Sequence, residues 1–156
     1  MAIEIERKFL VNRQKWQPVD KGMVYRQGYI QTKNGNTVRV RVAGKQGFLT
    51  LKSKVRNLTR SEFEYPIPLI DAEEMLTLLC DRPLIEKIRY KITFDNFLWE
   101  VDRFLGDNEG LMIAEIELTS EFEIFNLPPW VDVEVTHDHR YFNSYLAQHP
   151  YKCWEY

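Results

Sequence analysis

The sequence predicts an α+β fold that is mainly antiparallel β, with flanking helices. Three observations carry that expectation. Apolar and polar residues alternate with period two along most of the chain. Compact turn signals separate the alternating runs: Asn34-Gly35-Asn36, Ala43-Gly44-Lys45-Gln46-Gly47, Asp95-Asn96 and Gly106-Asp107-Asn108-Glu109-Gly110. Short connections of this kind make hairpins, so neighbouring strands run antiparallel. Helical spacing is confined to two stretches.

In chain order, the alternation predicts strands over roughly 2–10, 23–31, 37–43, 47–54, 60–67, 85–94, 97–105, 112–119 and 131–136. Residues 12–17 predict a short helical turn ended by Pro18. Asp71 is placed to cap a helix through Leu79, with Glu73 and Glu74 near its positive end and Leu76, Leu79 and Cys80 as its apolar side. A second helix is predicted from about Asp138 to Gln148, with Tyr141, Tyr145 and Leu146 at helical spacing. His137 and His139 read as its polar entry.

The chain has 156 residues, enough for one domain over 1–156 with its own core. With 44% apolar and 28% charged residues it reads as an ordered soluble protein. A net charge of −2 supplies no global field toward nucleic acid or membrane, so neither is expected as a partner. Cys80 and Cys153 make neither a disulfide framework nor a zinc-ligand spacing. Charge begins almost at Met1, which does not read as a signal peptide, and no stretch approaches a membrane span. A reducing, cytoplasmic location is the expectation.

The strand faces carry an unusual charge pattern. Glu4, Glu6 and Lys8 fall at every second position, with Ile3, Ile5 and Phe9 between them or beside them. Arg39 and Arg41, Lys52 and Lys54, Glu62 and Glu64, and Lys87, Arg89 and Lys91 repeat the spacing, as do Glu100 and Asp102, and Glu115 and Glu117. A solvated sheet face normally intersperses the two signs. Here basic pairs sit on some strands and acidic pairs on others. Like charges two residues apart repel, which makes sense where each sign has its own counter-ion. Carboxylate clusters suit hard divalent cations, and Arg and Lys clusters suit phosphate oxygens. A closed sheet would turn these rows inward, so the pattern points to a metal-assisted site for a compact polyphosphate.

Glu4-x-Glu6-x-Lys8 resembles the ExExK motif of the CYTH family, the triphosphate tunnel metalloenzymes. The likeness continues in order through Arg39-x-Arg41, Lys52, Glu62-x-Glu64, Lys87-x-Arg89, Asp102 and Glu115-x-Glu117. Leu127-Pro-Pro-Trp130, Glu134-Val-Thr136 and Arg140-Tyr-x-Asn143 look like the C-terminal part of the short bacterial members. The resemblance implies a closed barrel of about eight antiparallel strands, a tunnel lined by charge. It implies an enzyme: an inorganic triphosphatase that cleaves tripolyphosphate to pyrophosphate and phosphate with Mg2+ or Mn2+. By position, Glu4, Glu6, Asp102, Glu115 and Glu117 would hold metal, with Glu62 or Glu64 as a further acidic lining residue. Lys8, Arg39, Arg41, Lys52 and Arg89 would hold triphosphate oxygens, and Lys152 matches a C-terminal lysine that helps bind substrate in relatives. Tyr29 and Lys87 look like the pair thought to activate the attacking water. Free tyrosine has a pKa of about 10 and needs a neighbouring cation to act as a base at neutral pH.

Alternatives remain open. Class IV adenylyl cyclases of this fold carry a His-Phe ahead of ExExK, where this sequence reads Met1-Ala2-Ile3. Thiamine triphosphatase would need an aromatic contact, available from Trp16, Tyr25 or Tyr29. A non-catalytic polyphosphate-binding module would need no acidic pairs. Relatives are often dimers, so a homodimer stands among the partners to be tested.

Overall fold

The computed structural model describes residues 2–154. The strands are β1 (Ile3–Val11), β2 (Met23–Ile30), β3 (Thr37–Ala43), β4 (Gln46–Lys52), β5 (Thr59–Ile67), β6 (Ile85–Phe94), β7 (Phe97–Phe104), β8 (Met112–Glu117) and β9 (Val131–Glu134). The helices are α1 (Leu69–Leu78) and α2 (Asn143–Gln148). Strand order is β5-β4-β3-β2-β6-β7-β8-β1-β9, and β5 also pairs with β1. All pairings are antiparallel, so β1 to β8 close into a barrel as expected.

One edge of β1 closes the barrel in two steps. Ile3, Glu4 and Ile5 pair with Ser61, Arg60 and Thr59 of β5. Farther along, Phe9 and Val11 pair with Glu134 and Val131 of β9, which lies outside the barrel. Between these contacts the Glu6 N–H donates to Leu58 and the Lys8 N–H to the Thr136 hydroxyl. Every backbone donor at a seam needs such a partner. At the β6–β7 turn, Asp95 and Asn96 have φ of 51° and 67°. Two successive positive φ values suit the right-handed twist of a tight hairpin.

Helix α1 starts two residues before the expected cap. Pro68 occupies the cap position with φ −55°, and Asp71 lies in the first turn without a capping bond. Its carboxylate still meets the positive helix end. The buried stripe is Ala72, Leu76 and Cys80, which packs on Val40 and Val42. Leu79, expected on the apolar side, faces outward at 57% exposure. The i, i+4 spacing of 72, 76 and 80 carries the stripe past it. Gly47 permits this close approach, since a Cβ there would lie 2.7 Å from Ala72 Cβ.

The helix expected over Asp138–Gln148 is broken. His139–Tyr141 form one 3₁₀ turn, in which the Asp138 carboxylate accepts from the Arg140 N–H. Phe142 is extended (φ −75°, ψ 137°), and α2 begins after it. At 12–17 the Asn12 carbonyl accepts from the Lys15 and Trp16 N–H groups, making the expected turn.

Apolar residues cover both faces of the wall where needed. Outside, Phe9, Trp99, Val101, Ala114 and Ile116 are sealed by Trp16, Phe125 and Trp130. Inside, Ile85, Phe104 and Ile113 form an apolar floor capped by Leu146 and Ala147 of α2. These floor residues share strand faces with Lys87, Asp102 and Glu115. The interior is therefore apolar at one end and charged beyond it. Among the described residues, no helix is long and apolar enough to cross a membrane.

Candidate active site

The charged part of the barrel interior is a cavity of about 360 Å³. Its cationic wall is made by β3 and β6, with β2 between them. Gln27 lies opposite Arg41 and Tyr29 opposite Arg39, while Tyr25 lies opposite Lys87 across β2 and β6. The Arg41 Nε–H donates to Gln27 Oε1 at 2.8 Å. Burial, with Arg39 and Arg89 close by, pushes Arg41 down to about 9. Arg39 donates to Thr50 Oγ1 at 3.3 Å and to Glu64 Oε2 at 3.2 Å. Its Nε is buried and has no partner among the described residues. A buried donor left unpaired costs free energy that an anion's oxygen would recover.

Lys87 is 1% exposed. Its ammonium lies 2.7 Å from Asp102 Oδ2 and donates to Asn143 Oδ1 at 2.8 Å. Burial, aided by Arg89 and Arg41 and opposed by Asp102, brings Lys87 down to about 7. Arg89 grips Asp102 through both carboxylate oxygens at 2.8 Å. A fork on a carboxylate is the strongest of these contacts, and with burial overcome it holds Asp102 below the usual carboxylate range.

The acidic wall is made by β1 and β8, where Glu6 pairs with Glu117 and Lys8 with Glu115. Lys8 is 3.4 Å from Glu115 and 3.9 Å from Glu6, and its ammonium lies 4.7 Å from the Phe142 ring centre. Burial, then the adjacent Glu115 charge, pushes Glu6 up to about 8. Glu115 is buried too, yet Lys8, Arg89 and Lys87 hold it well below its ordinary value. Glu4 is likewise held low against burial, by its bond to Glu62 and by Lys52 and Arg60. Lys52 lies 3.1 Å from Glu4 and 3.0 Å from Glu62. Burial and the bond to Glu4 raise Glu62 to about 7. Glu62 thus joins the carboxylate cluster, whereas Glu64 answers Arg39.

The sequence-predicted residues Glu4, Glu6, Lys8, Tyr29, Arg39, Arg41, Lys52, Glu62, Glu64, Lys87, Arg89, Glu115 and Glu117 all line this cavity. Asp102 and Lys152 do not. Asp102 lies beneath the wall with both oxygens taken by Lys87 and Arg89. Lys152 is exposed and bound to Asp107 at 2.6 Å. Tyr29 and Lys87 do not bond each other. The Tyr29 hydroxyl accepts from Gln27 Nε2 at 2.7 Å, and Asn143 Oδ1 accepts from both Gln27 and Lys87.

Arg60, Glu100 and Asn143 also line the cavity, and the sequence reading gave them no role in the site. Arg60 shares the period-two face of Glu62, and Glu100 that of Asp102, so both had a sequence signal. Asn143 stood in the Arg140-Tyr-x-Asn143 likeness without a role, because only the break at Phe142 sends it inward.

The acidic donor set fits a divalent cation. Glu4, Glu6, Glu115 and Glu117 offer hard oxygen donors, and burial with the adjacent Glu115 charge keeps Glu6 protonated up to about pH 8. Among the described residues, no three Asp, Glu, His or Cys side chains converge at one point suited to a metal.

A family model described as "CYTH domain" matches residues 2–145. An inorganic triphosphatase of Acetivibrio thermocellus is 51% identical over 152 residues, covering 97% of each chain. An inorganic triphosphatase of Nitrosomonas europaea is 39% identical, covering 92% of this chain and 96% of the relative. A crystal structure of an inorganic triphosphatase superposes with a TM-score of 0.66 at 37% identity, covering 94% of this chain and 95% of the other.

Proposed function

This chain belongs to the CYTH domain family, and on that footing we propose that it hydrolyses inorganic triphosphate to pyrophosphate and phosphate inside the barrel. The observation that carries the reading is two charged walls in one cavity, one of cations on β3 and β6 and one of carboxylates on β1 and β8 with Lys8, Lys52 and Arg60 set among them. A pure anion receptor has no use for the second wall.

Arg39, Arg41, Lys52 and Arg89 bind phosphate oxygens, and Lys8 reaches them from the acidic side. Their work is position and charge neutralisation, which is most of phosphoryl-transfer catalysis. Glu4, Glu6, Glu115 and Glu117 would hold Mg2+ or Mn2+, which when bound neutralises phosphate charge and acts as a Lewis acid. Lys87, with its pKa near neutrality, is suited to accept a proton from water. Asn143 and Tyr29 orient that water beside it. Water oxygen then attacks a terminal phosphorus, its proton passes to the Lys87 amine, and the phosphoanhydride bond breaks to release pyrophosphate. Asp102 serves as a buried counter-ion that sets Lys87 and Arg89 in place, in preference to the metal role implied by motif position. The free thiols of Cys80 and Cys153 accord with a reducing cytoplasm.

The test is phosphate release from inorganic triphosphate, ATP and thiamine triphosphate, with Mg2+, with Mn2+ and with chelator. Metal-dependent release chiefly from inorganic triphosphate is expected. Preference for an organic triphosphate would change the substrate, and tight binding without any release would make the protein a receptor.

A further inference from the structure

Strand β2 runs between the two cationic strands, yet its inward residues, Tyr25, Gln27 and Tyr29, are uncharged. The Tyr25 ring is buried and touches two guanidinium groups at once. The guanidinium carbons of Arg41 and Arg89 each lie 4.9 Å from its centre. Gln27 is fully buried beneath it. Its Oε1 accepts from Arg41 Nε, while its Nε2 donates to the Tyr29 hydroxyl and to Asn143 Oδ1. With donors on one side and an acceptor bond on the other, the amide has one workable orientation.

We propose that Tyr25 and Gln27 are positioning residues that lock Arg41 beside the carboxylate-held Arg89, as a preformed clamp for neighbouring phosphate oxygens. Two guanidinium groups sharing a cavity repel; Arg89 is held by the Asp102 fork and by Glu100 at 3.2 Å, whereas Arg41 pairs with the uncharged Gln27. The ring's negative face attracts both at once and holds Arg41 beside Arg89 without neutralising Arg41. Gln27 engages Arg41 through Nε alone, so the terminal nitrogens remain for the ligand. A glutamate at position 27 would fix Arg41 equally well but cancel the charge it brings to the anion. Preorganisation of this kind strengthens binding by removing the ordering cost at the moment of contact. The inference rests on reading Arg41 and Arg89 as ligands of triphosphate.

The experiment combines steady-state hydrolysis of inorganic triphosphate with calorimetric titration of the same anion in chelator. Tyr25→Leu is expected to raise KM and Kd by about fivefold or more while kcat changes less than about twofold, the loss of one desolvated cation–π platform. Tyr25→Phe, which keeps the ring, should recover most of that affinity. Gln27→Leu and Gln27→Glu should both weaken binding. In an Arg41→Ala background, Gln27→Leu should add little, because its effect travels through Arg41. Wild-type affinity in folded Tyr25→Leu, a Tyr25→Phe as weak as Tyr25→Leu, or a full additional loss from Gln27→Leu on Arg41→Ala would each overturn the clamp. Should Tyr25→Leu not fold, Tyr25→Phe against Tyr25→Met makes the same comparison. An unchanged Kd in Arg41→Ala would instead overturn the reading of the cavity as a triphosphate site.

Discussion

On the cationic wall four cations have fixed neighbours: Gln27 and Tyr25 for Arg41, Thr50 and Glu64 for Arg39, Asp102 for both Lys87 and Arg89. On the acidic wall Glu6 stands beside Glu115, with Lys8 3.9 Å away, and keeps a proton up to about pH 8. The first wall holds its cations in place with one donor, Arg39 Nε, left over, and on the second burial and the adjacent Glu115 keep Glu6 protonated. The difference assigns the two walls different ligands. An anion can meet the first in its final arrangement, whereas a cation would complete the second.

The largest effect should come from Lys87→Ala. It removes the proton acceptor and leaves Asp102 short of a partner in a dry site, so kcat/KM should fall by about a hundredfold or more. Phosphate release measures it, and near-normal turnover would break the comparison by showing that the cationic wall is not where the chemistry occurs. Next, Glu6→Gln should weaken metal activation by about tenfold or more while sparing metal-free binding of triphosphate. The metal concentration for half-maximal rate reports the first and calorimetry in chelator the second. Equal losses in both would mean the acidic wall serves the anion as well. Tyr29→Phe should lower turnover by up to about tenfold with little change in affinity, since it removes one hydroxyl of the Gln27–Asn143 network. Unchanged turnover would exclude Tyr29 from water positioning.

The smallest effect is on stability. Glu6 has a folded value of about 8 against an ordinary 4.5. Between these values the folded protein holds a proton that the unfolded chain has lost, so Glu6 contributes stability that declines as pH rises through the window. In chelator, the thermal midpoint of Glu6→Gln should therefore fall less between pH 5 and pH 8.5 than that of the wild type (about three pH units of titration). A parallel decline in both proteins would assign the lost stability to other groups.

The strands were legible because their signal is local. A period of two in β1 or β6 needs no distant partner to be seen, and it placed Glu4, Glu6, Lys8, Lys87 and Arg89 on inward faces. The C-terminal helix was misread because Tyr141, Tyr145 and Leu146 keep helical spacing across Phe142, where the backbone is extended. That break is settled by packing, with the Phe142 ring against Lys8 and Asn143 reaching Lys87. The Lys152 assignment failed to reach the cavity for a related reason. A motif position near the chain end says little about where a short 3₁₀ turn will dock.

The sequence by itself determined which residues share a face, because alternation is a property of the extended backbone. Only the tertiary structure decided which charges answer one another. Glu100 and Asp102 are equivalent in the alternation of β7, yet Asp102 lies directly opposite Arg89 and gives it both oxygens beneath the wall, while Glu100 meets it at 3.2 Å and still lines the cavity. Hairpin register sets that choice between β6 and β7, and closure of β1 on β5 brings the distant rows together, where electrostatic energy falls with distance and strengthens with burial, whatever the sequence separation.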